Sequence, residues 1–517
     1  LPDDYFIFLE NGKRLYGDDT YARINVAKIK RIEILNGASS ALYGTNAIGG
    51  VINIITDDVK NAINVSSDTR YASKGRFTQS VNIDVNTGKF GSYTSYRRQQ
   101  AEGWQLNPYE ENSKTHELEE TGKVASTGFY ANTVNQKFTF DATDKLSFYA
   151  RGGYYDNKTR RPYEAYDYNI LHETFNYGIG AQYMINKGNY ITADCYADHF
   201  SSSYCFFKDN KTYNGKAGEE QVRKRTRNHN LSIKGIFKLG NRHKLSVGTE
   251  YIVDVLKSQT DNIAKEDAYT LALFAQDEIK LLRNLQALIG VRYIYHENFK
   301  NHATPNVALM YKPGKFNFRA SYAAGFRTPT LSELYATDIA KKNDRLTIGN
   351  LDLKPEKNNY FSLSAEYVHE RFSVSVNAFY NNIRDMIDYN TIATGDKAME
   401  QYGHKEVRQR DNIAEAKVHG INVSANAYLG AGFNLSGGYT HLNTQDVELE
   451  QPIDKSIKNA YNINAQWAHS WKIYRLNINL NGRFNSKRFS KSYGYAPEYQ
   501  SVSYTHLRAH ETPEHLV

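Results

Sequence analysis

What most limits the folds open to this chain is the order of its connections. Along residues 60–485, short turns alternate with long polar segments without a break. The short set falls at 86–89, 142–145, 186–189, 239–243, 281–284, 312–315, 369–371, 429–432 and 469–472. Asn, Asp, Gly and Pro recur there because they tolerate a positive φ or fix φ for a turn. The long set covers 99–126, 156–172, 207–225, 257–267, 327–356, 390–410 and 443–458. Between connections the chain alternates residue by residue. Tyr474, Leu476, Ile478 and Leu480 interleave with Arg475, Asn477, Asn479 and Asn481, and Phe372, Val374, Val376, Ala378 and Tyr380 repeat the pattern. Period two puts the apolar members on one face of a strand and the polar members on the other, where a helix would scatter them. A sandwich or propeller has no reason to sort its loops by length. An up-and-down membrane barrel does, with short turns at one rim and long loops at the other.

Composition then separates a membrane wall from a large secreted β-protein. Hydrophobic residues make up 40% of the 517, and mean hydropathy is −0.65. No run approaches the ~20 apolar residues of a membrane helix. Yet there are 41 Tyr and 24 Phe. A barrel wall is apolar only on alternate residues, so hydropathy stays low, and Tyr suits the boundary between hydrocarbon and water. About nineteen strands of roughly ten or more residues are counted, enough for a tilted span. A closed single-chain wall needs an even number, so the expected fold is an all-β, antiparallel transmembrane β-barrel of about 22 strands with about 19 present. The period of two is lost over residues 501–517, read as a non-barrel tail, either disordered or foreign to the protein.

Several function classes fall away. The 64 basic and 56 acidic residues leave a net charge of +8 and are scattered, which gives no nucleic-acid partner. Cys195 and Cys205 sit on one expected strand, about 33 Å apart if extended, too far for a disulfide unless the chain folds back. No metal-ligand cluster, phosphate loop or nucleophile motif occurs, so no catalytic residue, metal or cofactor is expected.

The first 58 residues differ in kind. Residues 29–37 read as a strand ending at Gly37, and 38–44, with Leu42 and Tyr43, as a brief helix closed by Gly44. Gly49 and Gly50 then turn into a β-branched strand containing Asn53, the glycine pair permitting close backbone packing. With Arg31 and Glu33 ahead of it, the string 31–56 resembles the end of the plug domain of TonB-dependent outer-membrane receptors, its internal spacing intact. Asn36 and Ala38 stand where the family usually carries Arg and Pro. The resemblance implies an N-terminal α/β plug fragment over 1–58 and a barrel over 59–500. Upstream, 5–15 resembles an earlier plug strand, and the rest of the plug and the TonB box are not in this sequence.

A second resemblance lies in the loop 327–356. Phe326, Arg327, Pro329, Glu333, Leu334 and Tyr335 look like one family box, and Asn350, Leu353, Pro355 and Glu356 like its partner across the same outer loop. Arg327 and Glu356 could pair across the barrel mouth, with the prolines stiffening the exits, and loop anchoring is the plainer role than ligand contact. Haem receptors of this type usually carry a His between the boxes, and residues 330–348 have none. His116, His172, His302 and His404 are the other outward histidines, a type more often solvated than ligating. Arg160, Arg161, Tyr163, Tyr166 and Tyr168 mix cations with aromatics, a surface suited to an anionic, aromatic iron chelate, or else an ordinary Tyr-rich rim.

The resemblance further implies the outer membrane of a Gram-negative bacterium, lipid around the wall, and TonB as the partner that pulls on the plug. Cargo would be a scarce large solute: a ferric siderophore, haem or cobalamin. A passive porin shares the barrel but lacks the plug string. A barrel enzyme would need a Ser, His and acidic group meeting at one rim, for which the sequence offers no sign.

Overall fold

The computed structural model describes residues 6–17, 20–24, 29–36, 48–56, 62–105, 109–112, 115–120, 124, 126–163, 166–340, 344–471, 474–491 and 494–510. Two bodies of structure follow from the two kinds of sequence. The N-terminal part is a four-stranded sheet of β1 (Phe6–Glu10), β2 (Lys13–Arg14), β3 (Ile29–Asn36) and β4 (Gly50–Thr56), in the order β2-β1-β4-β3. β1 and β4 run parallel, and β3 and β4 antiparallel. Ile7, Leu9 and Val51 close one face of it, while Leu15, Ile24 and Ile54 close the other. Gly50 holds φ at 147°, a backbone that side chains with a Cβ rarely adopt. The expected helix at 38–44, with Gly37, Leu42, Tyr43 and Gly44, lies outside the described residues.

Among the described residues the second body is an antiparallel meander of twenty wall strands, from Ile63–Ala72 to Tyr499–His510, each paired to the next across a turn or loop, with the short strands Thr337–Ala340 and Arg345–Ile348 added within one loop. Hydrogen-bonded rows show which face is which. Ile179, Cys195, Leu231, Tyr251, Leu271 and Tyr295 form one row across six strands. The next row is Gly180, Asp194, Ser232, Glu250, Ala272 and Ile294. Ile179 is 64% exposed, while Asp198, on the same inward parity as Asp194, is 1% exposed. Apolar side chains therefore face out and polar ones are buried within, the reverse of a water-soluble protein and the pattern of a wall in lipid.

Strands outgrow the bilayer. A tilted crossing takes ~9–11 residues, yet Glu406–Gly430 has 25 and Phe372–Thr394 has 23. The surplus lies at the long-loop rim. Where the sequence predicts loops at 156–172, 207–225 and 390–410, pairing continues to Arg160, resumes at Tyr168, resumes again at Glu220, and runs on to Thr394. Beyond the lipid both faces are wet, so strands persist there without apolar alternation. The expected non-barrel tail differs likewise: Tyr499–His510 pairs antiparallel with Tyr474–Asn485, and residues 511–517 lie outside the described residues. This strand takes the wall one beyond the nineteen counted. In ring order it stands beside Ile63–Ala72. That seam is the one wall junction without a residue-by-residue register among the described residues, and Val65 and Val502 beside it are 63% and 65% exposed.

Candidate functional site

Three constructions occupy the interior and outer rim. The first is the loop between the strands Phe316–Arg327 and Glu356–Val368. Its short helix, Leu331–Tyr335, starts in a capping box in which Thr330 and Glu333 bond each other's backbone N–H groups. The same Glu333 carboxylate takes a fork from Arg327, Nη1 to Oε2 at 2.9 Å and Nη2 to Oε1 at 3.1 Å. Arg327 Nη2 also donates to Glu356 Oε1 at 2.6 Å, and the Ile387 N–H donates to that oxygen at 2.8 Å. Leu334 and Leu353 pack with Ile387 and Tyr335, and Phe326 packs with Ala272 and Ile294. Asn350 ties the return of the loop to the Arg410 carbonyl at 3.0 Å. Pro329 and Pro355 flank the two strand ends at which this triad sits. The two prolines aside, each box residue makes a contact within this loop or between it and the neighbouring strands.

Burial alone pushes the Glu333 carboxyl up, but the charge and hydrogen bonds of Arg327 outweigh it and hold the group below its ordinary range. Because the folded value is depressed, this contribution is complete above the unfolded glutamate value, about 4.3, and is lost as pH falls through the folded one. Protease protection of the 327–356 loop is therefore expected to stay flat from pH 7 to 5 and to decline only below about pH 4. Loss of protection already between pH 7 and 5 would point to some other titrating group.

The second construction is a cation–aromatic cluster. Tyr168, Tyr204 and Phe206 share the inward parity of Asp198 and Phe200, so they face the vestibule above the lumen. Tyr168 stacks on Tyr204 at 4.1 Å and meets Tyr213 edge-on at 5.7 Å. The Arg223 guanidinium lies over Tyr204 and Tyr213 at 5.3 and 5.0 Å, and Arg161 over Tyr166 and Tyr168 at 4.7 and 4.9 Å. Lys208 sits 3.9 Å from the Tyr163 ring. Desolvation, then Tyr168 beside it, raises the Tyr204 phenol above its usual range, so it remains a neutral donor. Of the rim segment, Arg161, Tyr163, Tyr166 and Tyr168 enter this network. Arg160 has the outward parity and reaches the Ala101 carbonyl instead. Sequence reasoning missed Tyr204, Tyr213 and Arg223, whose only local sign is aromatic content at a strand end.

The outward histidines do not converge. His404 Nδ1 is 2.8 Å from Asp344, His302 stacks on Phe326 at 5.0 Å, and His172 packs edge-on against Phe200. His116 is exposed on its own loop. Among the described residues no group of His, Cys, Asp and Glu is placed to hold a metal ion.

The third construction joins the small sheet to the wall. Arg23 grips Asp198 with two bonds of 2.9 and 2.8 Å, and the Tyr16 N–H reaches the same carboxylate at 2.8 Å. Lys13 pairs with Asp194 at 2.7 Å and Glu10 with Arg151 at 3.7 Å. Arg97 donates to the Ile24 and Ala22 carbonyls. Gly17, at φ +83°, leaves no room for a Cβ, which would stand 2.6 Å from the Phe200 ring. Ile48 is buried against Ile383 and Ala416 of the wall. The sheet therefore sits against the inner face of the wall, tied to it by ion pairs and apolar contact. Of the plug-motif residues, Arg31 bonds Glu33 at 2.7 Å, and Asn53 bridges Glu33 and the Gly12 N–H. Gly49 and Gly50 lead into β4 beside them. All of these interactions lie within the N-terminal sheet and its turns.

Comparisons with known proteins fit this geometry. Residues 75–509 match the family described as "TonB dependent receptor-like, beta-barrel", and residues 2–51 match "TonB-dependent Receptor Plug Domain". Among solved structures, the ferric enterobactin receptor of Pseudomonas aeruginosa superposes with a TM-score of 0.79 at 16% identity, over 97% of this chain and 84% of that one. The siderophore receptor PirA of Acinetobacter baumannii gives 0.76 at 15% identity, over 97% and 84%. The FrpB iron transporter of Neisseria meningitidis gives 0.76 at 13% identity, again over 97% and 84%. At these identities the likeness is one of fold.

Proposed function

The chain belongs to the TonB-dependent receptors, outer-membrane proteins that work with TonB, and from that premise we propose that it imports a ferric siderophore into a Gram-negative cell. The observation that carries this reading is the cation–aromatic cluster facing the vestibule. A ferric chelate of this kind is large, anionic and often aromatic. Arg161, Arg223 and Lys208 supply charge attraction, and the Tyr168, Tyr204 and Tyr213 rings supply flat contact. Solved neighbours named as receptors for ferric enterobactin and as siderophore receptors support the same cargo class. Haem gains no support from the outward histidines, which are engaged elsewhere. A passive pore is disfavoured by an N-terminal sheet ion-paired to the inner wall. In the transport cycle the outer loops capture the chelate, TonB pulls the plug, and the chelate passes between plug and wall.

The test is a parallel titration of the refolded protein with a ferric catecholate, a ferric hydroxamate, haem and cobalamin, followed by tryptophan quenching. Saturable binding of one ferric siderophore is expected. The double variant Tyr168→Ala, Arg223→Gln is expected to weaken it by roughly tenfold, the loss of one stacking and one charge contact. Tight binding of haem or cobalamin with no siderophore response would overturn the cargo assignment and leave the receptor class intact.

A further inference from the structure

Seven successive short turns share a chemistry that cargo capture does not use. They connect the wall strands at 87–89, 142–145, 187–188, 240–242, 283–284, 312–315 and 369–371, at the rim that faces the periplasm in a barrel of this kind. Every one of them carries an exposed lysine or arginine. Together they hold eight such cations against two acids, Asp144 and Glu370. The bias is not general to the connections, since the long loop 99–126 holds six acids against two lysines. Cations that look scattered along the sequence are therefore gathered by the up-and-down topology onto a single edge.

Charge and position together fix what this edge can hold. Among the described residues none of the eight cations is in an ion pair, although pairs do form just inside the rim, His243 with Asp277 at 2.6 Å and Lys244 with Glu278 at 2.9 Å. Their charge is left for something outside the chain. Five of them also stand directly beside an apolar or aromatic wall residue: Lys89 by Phe90, Arg283 by Leu282, Lys312 by Tyr311, Lys315 by Phe316 and Arg371 by Phe372. Those five wall side chains are between 40% and 64% exposed, so they meet acyl chains. The cation one residue on, about 3 Å farther along the chain, meets what lies at the end of those acyl chains. Long basic side chains suit that boundary, with an apolar stem in it and the charge in water. Successive short turns are two strands apart, roughly 10 Å, which exceeds the ~8 Å screening length in physiological salt. Each basic turn therefore addresses an anion of its own, and the ring fits a surface of many small anions better than one multivalent ligand.

We propose that the short-turn rim is a binding surface for anionic phospholipid headgroups of the periplasmic leaflet, one headgroup to each basic turn. The ring sets the depth of the barrel, because a shift along the membrane normal carries the cations either out of the headgroup layer or into hydrocarbon. A point charge is all the surface requires, so lysine and arginine serve equally at these positions, unlike at a forked site. Zwitterionic lipid satisfies the apolar residues alone and is held more weakly. Cargo enters at the opposite rim, so this surface acts independently of it.

The test uses the full chain refolded into vesicles of phosphatidylcholine and phosphatidylglycerol in equal parts, with spin-labelled forms of each lipid reporting the share held at the protein surface. Wild type is compared with the variant Lys89→Gln, Arg283→Gln, Lys312→Gln, Lys315→Gln, Arg371→Gln, so that cations elsewhere on the wall cancel. The preference of wild type for phosphatidylglycerol is expected to exceed that of the variant by at least about threefold, within the roughly fivefold that one cation at a charged surface supplies. That difference should vanish in ~1 M salt, where the screening length falls to ~3 Å. The charge-conserving variant Arg283→Lys, Arg371→Lys should keep the wild-type preference. Heat-modifiable migration on gels checks that both variants fold. Equal lipid preference in folded wild type and the five-site variant would overturn the assignment. Charge-dependent co-sedimentation with peptidoglycan in the absence of any lipid preference would overturn it too, and would give the ring to an acidic polymer.

Discussion

Replacing Arg327 with alanine is expected to loosen the 327–356 loop and to cost about 3–5 kcal/mol, the usual penalty for stripping one partner from a buried charge cluster. The Arg327 side chain is 2% exposed, that of Glu356 is 0% and that of Glu333 is 10%. Removing the guanidinium leaves these carboxylates facing each other with only backbone N–H groups and Thr330 to hold them. The damage should spread along the loop, because Glu333 also caps the helix Leu331–Tyr335 and the Asn350 N–H returns to its carbonyl. Arg327→Lys should fall in between, since one ammonium cannot fork to one carboxylate while bonding a second. Limited proteolysis of the outer face and the urea midpoint of the refolded barrel would read both effects. A wild-type midpoint with an intact loop in Arg327→Ala would show that apolar packing around Leu334 and Leu353 suffices without the charges.

The legibility of this molecule in its sequence follows from range and solvent. Strands inside the bilayer were plain because lipid and lumen demand opposite chemistry on alternate residues, as Leu476, Ile478 and Leu480 show against Asn477, Asn479 and Asn481. Above the bilayer that demand lapses. Residues 390–394 read as loop yet pair with Glu406–Gln409, with a register shift between Thr391 and Ala393. The strand Tyr499–His510 hid for a related reason: Val502 and Tyr504 alternate with Ser501 and Ser503, but the apparently aperiodic residues beyond them masked it. The Arg327–Glu356 contact could be anticipated because both ends sit in recognisable boxes flanking one loop. Arg23 and Asp198 could not, for they lie 175 residues apart and neither carries a local signal. The vestibule cluster falls between these cases, with Tyr168 visible in an aromatic run while Tyr204 and Arg223 join it only when neighbouring strands pair.

That long-range pair sets the second large effect. Asp198→Ala is expected to unseat the plug, with a loss of about 3–5 kcal/mol in its docking. The side chains of Arg23 and Asp198 are 4% and 0% exposed, so the mutation leaves a guanidinium buried against the wall with no carboxylate. The Tyr16 N–H loses its acceptor at the same time, beside the tight Gly17–Phe200 contact. Trypsin should then reach the plug, and cells should take up a bulky hydrophilic antibiotic that the wild-type barrel excludes. Lys13→Met should do less, because Lys13 and Asp194 are 19% and 13% exposed and water already shares their charge. The double variant Arg23→Met, Asp198→Leu should recover most of the seating, since apolar replacement of a whole buried pair is often neutral or better. Yet the double variant is expected to transport more slowly than wild type. A plug held by ion pairs can exchange each bond for water as it leaves, whereas an apolar contact offers no such exchange. Recovered seating with unimpaired uptake would show that the ionic character of the joint serves docking alone.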